Sequence, residues 1–152
     1  VWYQKEFYVD ESWQDKVINL RFGSATHRAT VWINGEKVVS HEGGYMPFIA
    51  PLNDIVEFGA KNKVVVVVNN ELDYTTIPCG KVKEYDDGKK RLFPFFDFFN
   101  YAGIHADVKL LVLPPERVSD ITVVTDYNEQ TGLIDYEIET TGDSQVVVDV
   151  LD

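Results

Sequence analysis

The sequence predicts an all-β chain, built as one β-sandwich followed by the beginning of a second. Three observations carry that expectation. Short apolar runs alternate with polar residues at the period of two that gives a strand one buried face. Pairs such as Asn34-Gly35 and Gly43-Gly44 punctuate the runs with turn-forming residues. The composition changes after Pro114-Pro115, where a new set of alternating strands begins.

Residues 1–9 are aromatic and apolar with partial alternation, and give the first expected strand. From Val17 to Phe22, apolar Val17, Ile18, Leu20 and Phe22 are interleaved with Asn19 and Arg21. Ala29, Val31 and Ile33 share one face of a strand that Asn34-Gly35 ends in a type I′ turn, with Val38-Val39 on the return strand. Tyr45 to Ala50 is expected to be extended, and residues 51–56 to open a short helical turn. Lys63 to Asn69 contains the run Val64 to Val68, the pattern of a strand buried on both faces. Asn70 to Phe93 reads as a long excursion holding one small hairpin, a length that in a compact domain is often functional. Val108 to Leu113 is a further strand, stopped by the prolines. Beyond them Val118 to Thr125, Gly132 to Thr140 and Gln145 to Leu151 alternate as three strands of an antiparallel sandwich. Such a sandwich usually needs about 100 residues, so the sequence predicts that this second domain is truncated at the end of the chain. Val1 falls in the middle of what reads as a strand, which predicts that N-terminal strands of the first domain also lie outside it.

With 152 residues and a formal charge of −11, the chain holds a real core but repels phosphate backbones and anionic lipid, so nucleic acid and membrane are not expected partners. It has no run of about 18 apolar residues. Cys79 is the only cysteine, excluding an internal disulfide framework and a multi-thiolate metal site. With no Asn-x-Ser/Thr acceptor site, it points towards a reducing cytoplasm.

Phe95-Phe96-Asp97-Phe98-Phe99-Asn100-Tyr101-Ala102-Gly103-Ile104-His105 is the segment richest in chemistry. It sets one carboxylate and one carboxamide among five aromatic rings. Burying a carboxylate without a partner costs several kcal/mol, so Asp97 is expected to have an assigned polar partner. Backbone N–H groups of a local turn are one candidate. Sugar hydroxyls are the other, since aromatic rings cover the C–H faces of a sugar while a carboxylate accepts its hydroxyl protons.

The segment resembles the Asp-Phe-Phe-Asn-Tyr-Ala-Gly-Ile motif of the N-terminal domain of family 2 glycoside hydrolases of the β-glucuronidase type. The resemblance extends over Val1-Trp2-Tyr3-Gln4, Leu20-Arg21-Phe22, Thr26-His27, Val31-Trp32-Ile33-Asn34-Gly35, His41-Glu42-Gly43-Gly44-Tyr45-Met46-Pro47-Phe48, Val68-Asn69-Asn70-Glu71-Leu72 and Thr76-Ile77-Pro78, in family order and spacing. It departs after His105, where Ala106 and Asp107 stand in place of the usual Arg. The resemblance implies a galactose-binding-like jelly-roll β-sandwich over residues 1–114, then the start of an immunoglobulin-like β-sandwich over 115–152. It also implies the glycone of a β-D-glucuronide as the ligand, bound together with a catalytic barrel, in a homo-oligomeric parent. Asp97 would accept glycone hydroxyls, with Asn100 and Tyr101 holding its segment in place.

No catalytic residue is expected within the chain. Retaining glycoside hydrolysis uses two carboxyl groups about 5–5.5 Å apart, and no such pairing is indicated among these acids. In the resembled family both are glutamates of the barrel. Neither a metal nor a cofactor is expected. His27, His41 and His105 lack zinc-motif spacing, and read as structural hydrogen-bonding groups. Glu84, Asp86 and Asp87 lack the register of a calcium loop and read as a solvated turn. Gly-x-Ser-x-Gly and phosphate-cradling glycine loops are absent. Trp2, Trp13 and Trp32 are expected in the core. Three other readings stand beside the first: the same domain of a β-galactosidase or β-mannosidase, a free-standing carbohydrate-binding module, and a structural domain that makes oligomer contacts.

Overall fold

The computed structural model describes residues 1–143 and 145–151. Along the chain its strands are β1 (Trp2–Val9), β2 (Val17–Phe22), β3 (Ala25–Thr26), β4 (Arg28–Ile33), β5 (Glu36–Glu42), β6 (Phe48–Pro51), β7 (Ala60–Asn69), β8 (Gly80–Glu84), β9 (Lys90–Pro94), β10 (Gly103–Ile104), β11 (Val108–Leu113), β12 (Arg117–Tyr127) and β13 (Gly132–Thr141). They fall into two compact units, Val1–Val112 and Leu113 onward.

The first unit is a sandwich. One sheet has the order β1-β7-β4-β5 and the other β11-β2-β6. Alternation decides which side chains lie between them. Ile18, Leu20 and Phe22 of β2 and Ala29, Val31 and Ile33 of β4 are buried in a single core, with Val66 and Val68 of β7 and Phe48 and Ala50 of β6. Phe22 and Phe48 stack across the β2–β6 pair, centroids 4.7 Å apart. Burying one such ring contributes roughly 1.5–3 kcal/mol. The β4–β5 connection is the expected two-residue turn, with Asn34 at φ 52° and Gly35 at φ 92°. The amide of Asn34 then donates 2.8 Å to the buried Asn62 Oδ1, which ties the turn to β7.

Two expectations about this unit need correction. β7 is central in its sheet but only one of its faces is in the core: Val66 and Val68 are buried, while Val65 and Val67 are half-buried. Their outer face carries Trp2 and Trp32, which pair with Val67 and Val65. Those two tryptophans therefore lie outside the core, Trp2 at 73% exposure. Trp13, as expected, packs against the core, from a 3-10 turn, Glu11–Trp13. A continuous valine run hides this asymmetry, because its pattern is the same on both faces. Residues 51–56 form the expected turn, with Ile55 and Val56 N–H both donating to Leu52 C=O.

In the second unit, β12 and β13 form one long hairpin. The third expected strand is not formed: Gln145 to Leu151 is neither helix nor strand. Val146, Val148 and Val150 line the same open cavity as Ile121, Val123, Ile134 and Tyr136 of the hairpin, and all of them remain exposed. No described residue of this unit is buried.

Candidate functional site

Two excursions from the first sandwich meet at the candidate site. The earlier one, after β7, contains an Asx turn. Asp73 Oδ1 accepts from Thr75 N–H at 2.7 Å, from Thr75 Oγ1 at 2.6 Å and from Thr76 N–H at 3.1 Å. Asp73 Oδ2 accepts from Arg28 Nη2 at 2.7 Å, and Arg28 also contacts Glu42 through Nε at 3.1 Å. The Thr75 bonds above all, with Arg28 behind them, hold the Asp73 carboxyl down at about 2, below its usual 3.8. Thr76, buried beneath, donates to Pro78 C=O at 2.9 Å.

The second excursion is the β8–β9 hairpin, whose register pairs Gly80 with Pro94 and Glu84 with Lys90. Glu84 ends β8; Asp86 and Asp87 occupy the exposed turn, where Asp87 accepts from the Lys89 N–H at 3.1 Å. After Pro94, the Phe95 N–H donates to Cys79 C=O at 3.2 Å, and from there to Ala102 the chain forms neither helix nor strand. The Phe96 and Phe98 rings stack at 4.2 Å, and Phe95 meets Tyr74 of the first excursion at 5.6 Å.

Asp97 stands in this segment exposed and without a hydrogen bond or ion pair to any described residue. Of the two partners the sequence leaves open for this carboxylate, the local one, backbone N–H groups of a turn, is not found among the described residues. Five aromatic rings cannot bury the carboxylate when most of them face outward: Phe95, Phe98, Phe99 and Tyr101 are exposed, Phe99 at 82%.

The other end of the segment is anchored. Asn100 Oδ1 lies 2.8 Å from Nε2 of His27, a side chain buried at the start of β4's approach. Tyr101 stacks on His105, centroids 5.7 Å apart. His105 in turn reaches Ser24 Oγ through Nε2 at 2.8 Å and Thr26 Oγ1 through Nδ1 at 2.9 Å. Ser24 donates onward to Gly44 C=O. The edge of Tyr45 meets both His27, at 6.1 Å, and His105, at 5.8 Å. Pairing of β10 with β3 brings these groups together by placing Gly103 opposite Thr26. Gly103 has φ +82°, and a Cβ there would run into Tyr3 Oη, so the turn after Tyr101 needs glycine on both counts.

Of the residues singled out in the sequence, the structure thus groups Asn100, Tyr101, His27 and His105, and leaves Asp97 outside that cluster. His41 stands apart from the cluster, stacked on Phe48 at 4.4 Å. The sequence marks His27 and His105 as structural hydrogen-bonding groups, as found here, but does not place them together. Their link was carried by Gly43-Gly44-Tyr45, which lets a loop pass close over both rings.

Comparison with known proteins agrees with this architecture. The model of the glycosyl hydrolases family 2 sugar binding domain matches residues 1–114. The β-glucuronidase of Paenibacillus borealis is 42% identical over 100% of this chain and 26% of that protein. The human β-glucuronidase is 35% identical over 99% of this chain and 25% of its own length. A β-glucuronidase from Ruminococcus gnavus, solved in complex with D-glucuronic acid, superposes with a TM-score of 0.85 at 45% identity, covering 93% of this chain and 25% of that one. The chain spans about a quarter of the length of the curated relatives it matches. It belongs to the glycosyl hydrolases of family 2 and carries that family's sugar-binding domain.

Proposed function

We propose that this domain contributes the Asp97 carboxylate to the glycone site of a retaining β-glucuronidase, whose acid and nucleophile belong to a catalytic barrel outside these 152 residues. The observation that carries the reading is the contrast within residues 95–105. Asp97 presents acceptor oxygens to solvent with no partner, while Asn100 and Tyr101 are tied to the sandwich. A carboxylate so held accepts hydroxyl protons without first breaking internal bonds, and exposed rings beside it cover sugar C–H faces or a second domain. D-glucuronic acid bound to the Ruminococcus gnavus relative supports a uronate glycone over a galactoside or mannoside. The test compares p-nitrophenyl β-D-glucuronide, β-D-galactoside and β-D-mannoside as substrates of the enzyme that carries this domain, with the 152-residue chain as control. Turnover of the glucuronide by the enzyme alone is expected. Catalysis by the isolated chain, or preference for another glycone, overturns the proposal.

A second reading, a glycan-binding surface on the outer sheet face, draws on the near-parallel Trp2 and Trp32 rings, 6.1 Å apart at 12°. Trp32 is half-buried, so the pair presents one open ring rather than a platform. Affinity electrophoresis of Trp2→Ala in soluble polysaccharide separates the two readings.

A further inference from the structure

His27 has a hydrogen-bonding pattern that packing alone does not account for. The ring is 1% exposed. Its Nε2 faces Asn100 Oδ1 at 2.8 Å, and a carboxamide oxygen only accepts, so the proton of the neutral imidazole resides on Nε2. Nδ1 is then a lone-pair nitrogen, and it is buried with no partner among the described residues. Buried polar atoms are nearly always satisfied, and an exception calls for a reason. A carbon atom at the Nδ1 position would remove that cost, but an imidazole brings the donor at Nε2 with it.

The surroundings hold the ring in one place. The His27 N–H donates to Asn69 C=O at 2.9 Å, and His27 C=O accepts from Gly43 N–H at 3.0 Å. Gly44 closes over the ring so tightly that a Cβ there would lie 2.7 Å from Nδ1 and 2.9 Å from Thr26 Cγ2. Tyr45 covers the ring from the side. The one direction in which His27 offers a hydrogen bond is towards Asn100, three residues after Asp97.

We propose that His27 is the positioning residue of the sugar contact: as a neutral Nε2–H donor wedged under Gly44, it fixes Asn100 and through it the reach of Asp97. This rests on the reading of Asp97 as the glycone contact. His105 serves the same segment from its far side through Tyr101, but it is bonded at both nitrogens, so its geometry is explained by its own hydroxyl partners.

The test is a double-mutant cycle in the enzyme that carries this domain, read as kcat/KM on p-nitrophenyl β-D-glucuronide with melting temperature followed in parallel. His27→Ala and Asn100→Ala break the same bond from its two ends. Asn100 is only half-buried, so Asn100→Ala opens no cavity around the ring and serves where His27→Ala does not fold. Either variant is expected to lower kcat/KM about tenfold, in the range of one lost positioning hydrogen bond. His27→Gln, which retains a donor, recovers part of that loss. Added to Asp97→Ala, His27→Ala or Asn100→Ala should lower kcat/KM by less than about twofold further, because the group being positioned is gone. Full multiplication of the two losses overturns the proposal, since His27 would then act independently of Asp97. So does wild-type kcat/KM in Asn100→Ala when Asp97→Ala is impaired; that result leaves the role of Asp97 standing. Wild-type kcat/KM in Asp97→Ala removes both readings together.

Discussion

Asp73 and Asp97 are carboxylates on neighbouring excursions of one sandwich, and they differ in nearly every physical respect. Asp73 uses both oxygens inside the protein, on Thr75, Thr76 and Arg28, and its carboxyl is held at about 2 by those bonds. Asp97 uses neither oxygen, and the rings around it face outward. The lesson is that an acid that serves the fold is recognised by its partners. On the reading proposed above, an acid that serves a ligand is recognised by their absence on a backbone that is nonetheless anchored. The two should fail in opposite ways when removed.

The largest expected effect is kinetic and falls on Asp97. If its carboxylate accepts one or two sugar hydroxyls, Asp97→Ala in the enzyme that carries this domain removes charge-assisted hydrogen bonds worth roughly 1.5–3 kcal/mol, about tenfold to a hundredfold in kcat/KM. Asp97→Asn keeps the shape and one acceptor, and isolates the contribution of charge. Both variants should melt with the wild type, because no internal bond is lost. Normal kinetics with a lowered melting temperature would invert the comparison and make Asp97 structural.

Asp73→Ala is expected to behave the other way round. It unties the Asx turn, frees Arg28 from one of its two carboxylates and loosens the loop above buried Thr76. Melting temperature should fall more than for any Asp97 variant, while kcat/KM changes less than it does in Asp97→Ala. Tyr74 touches Phe95, so a small rise in KM is the expected route by which this loop is felt at the site. A kinetic loss equal to that of Asp97→Ala would show that the two excursions work as one unit.

How far the sequence disclosed this difference can be traced to particular residues. The strands of the first sandwich were legible because one buried face writes a period of two, as in Ile18, Leu20 and Phe22, and because Asn34-Gly35 is a turn with a steric reason. The face of β7 was not, since a run of valines has no period. Gln145 to Leu151 had the alternation of a strand, but a strand also needs a neighbour to bond with, which one-dimensional pattern does not supply. At the site, Asp97 and Asn100 stood out by their setting among rings. Their opposite environments did not, because the Asn100 bond reaches back 73 residues to His27. Asp73 carried the local signal Asp-x-Thr-Thr and passed unnoticed beside the louder aromatic motif.

A smaller effect of the Asp73 bonds is read through pH. The Asp73 carboxyl titrates at about 2 in the folded protein and near 3.8 when free, so its contribution to stability is present above 3.8 and is lost as pH falls from there towards 2. Melting temperature plotted against pH should drop through this window in the wild type. The drop should be shallower in Asp73→Asn. An Asp73→Asn curve parallel to wild type across pH 4 to 2 would mean that the Thr75 and Arg28 bonds do not hold in solution.

The smallest expected change is in Phe99, and it tests what surrounds Asp97 rather than Asp97 itself. At 82% exposure this ring gains little from the sandwich, and no ring partner is found for it among the described residues. In the 152-residue chain, Phe99→Ala should therefore shift stability by no more than about 0.5 kcal/mol, as for other exposed sites free of caps and networks. An exposed phenylalanine is nonetheless poorly solvated, and beside an unpartnered carboxylate it is a natural cover for a sugar face or a docked domain. The same substitution in the longer enzyme should then matter more, raising KM or lowering the melting temperature beyond what the chain alone shows. Equal and negligible effects in both proteins would mean that nothing covers this ring. The outward-facing aromatics would then be incidental to the work of Asp97.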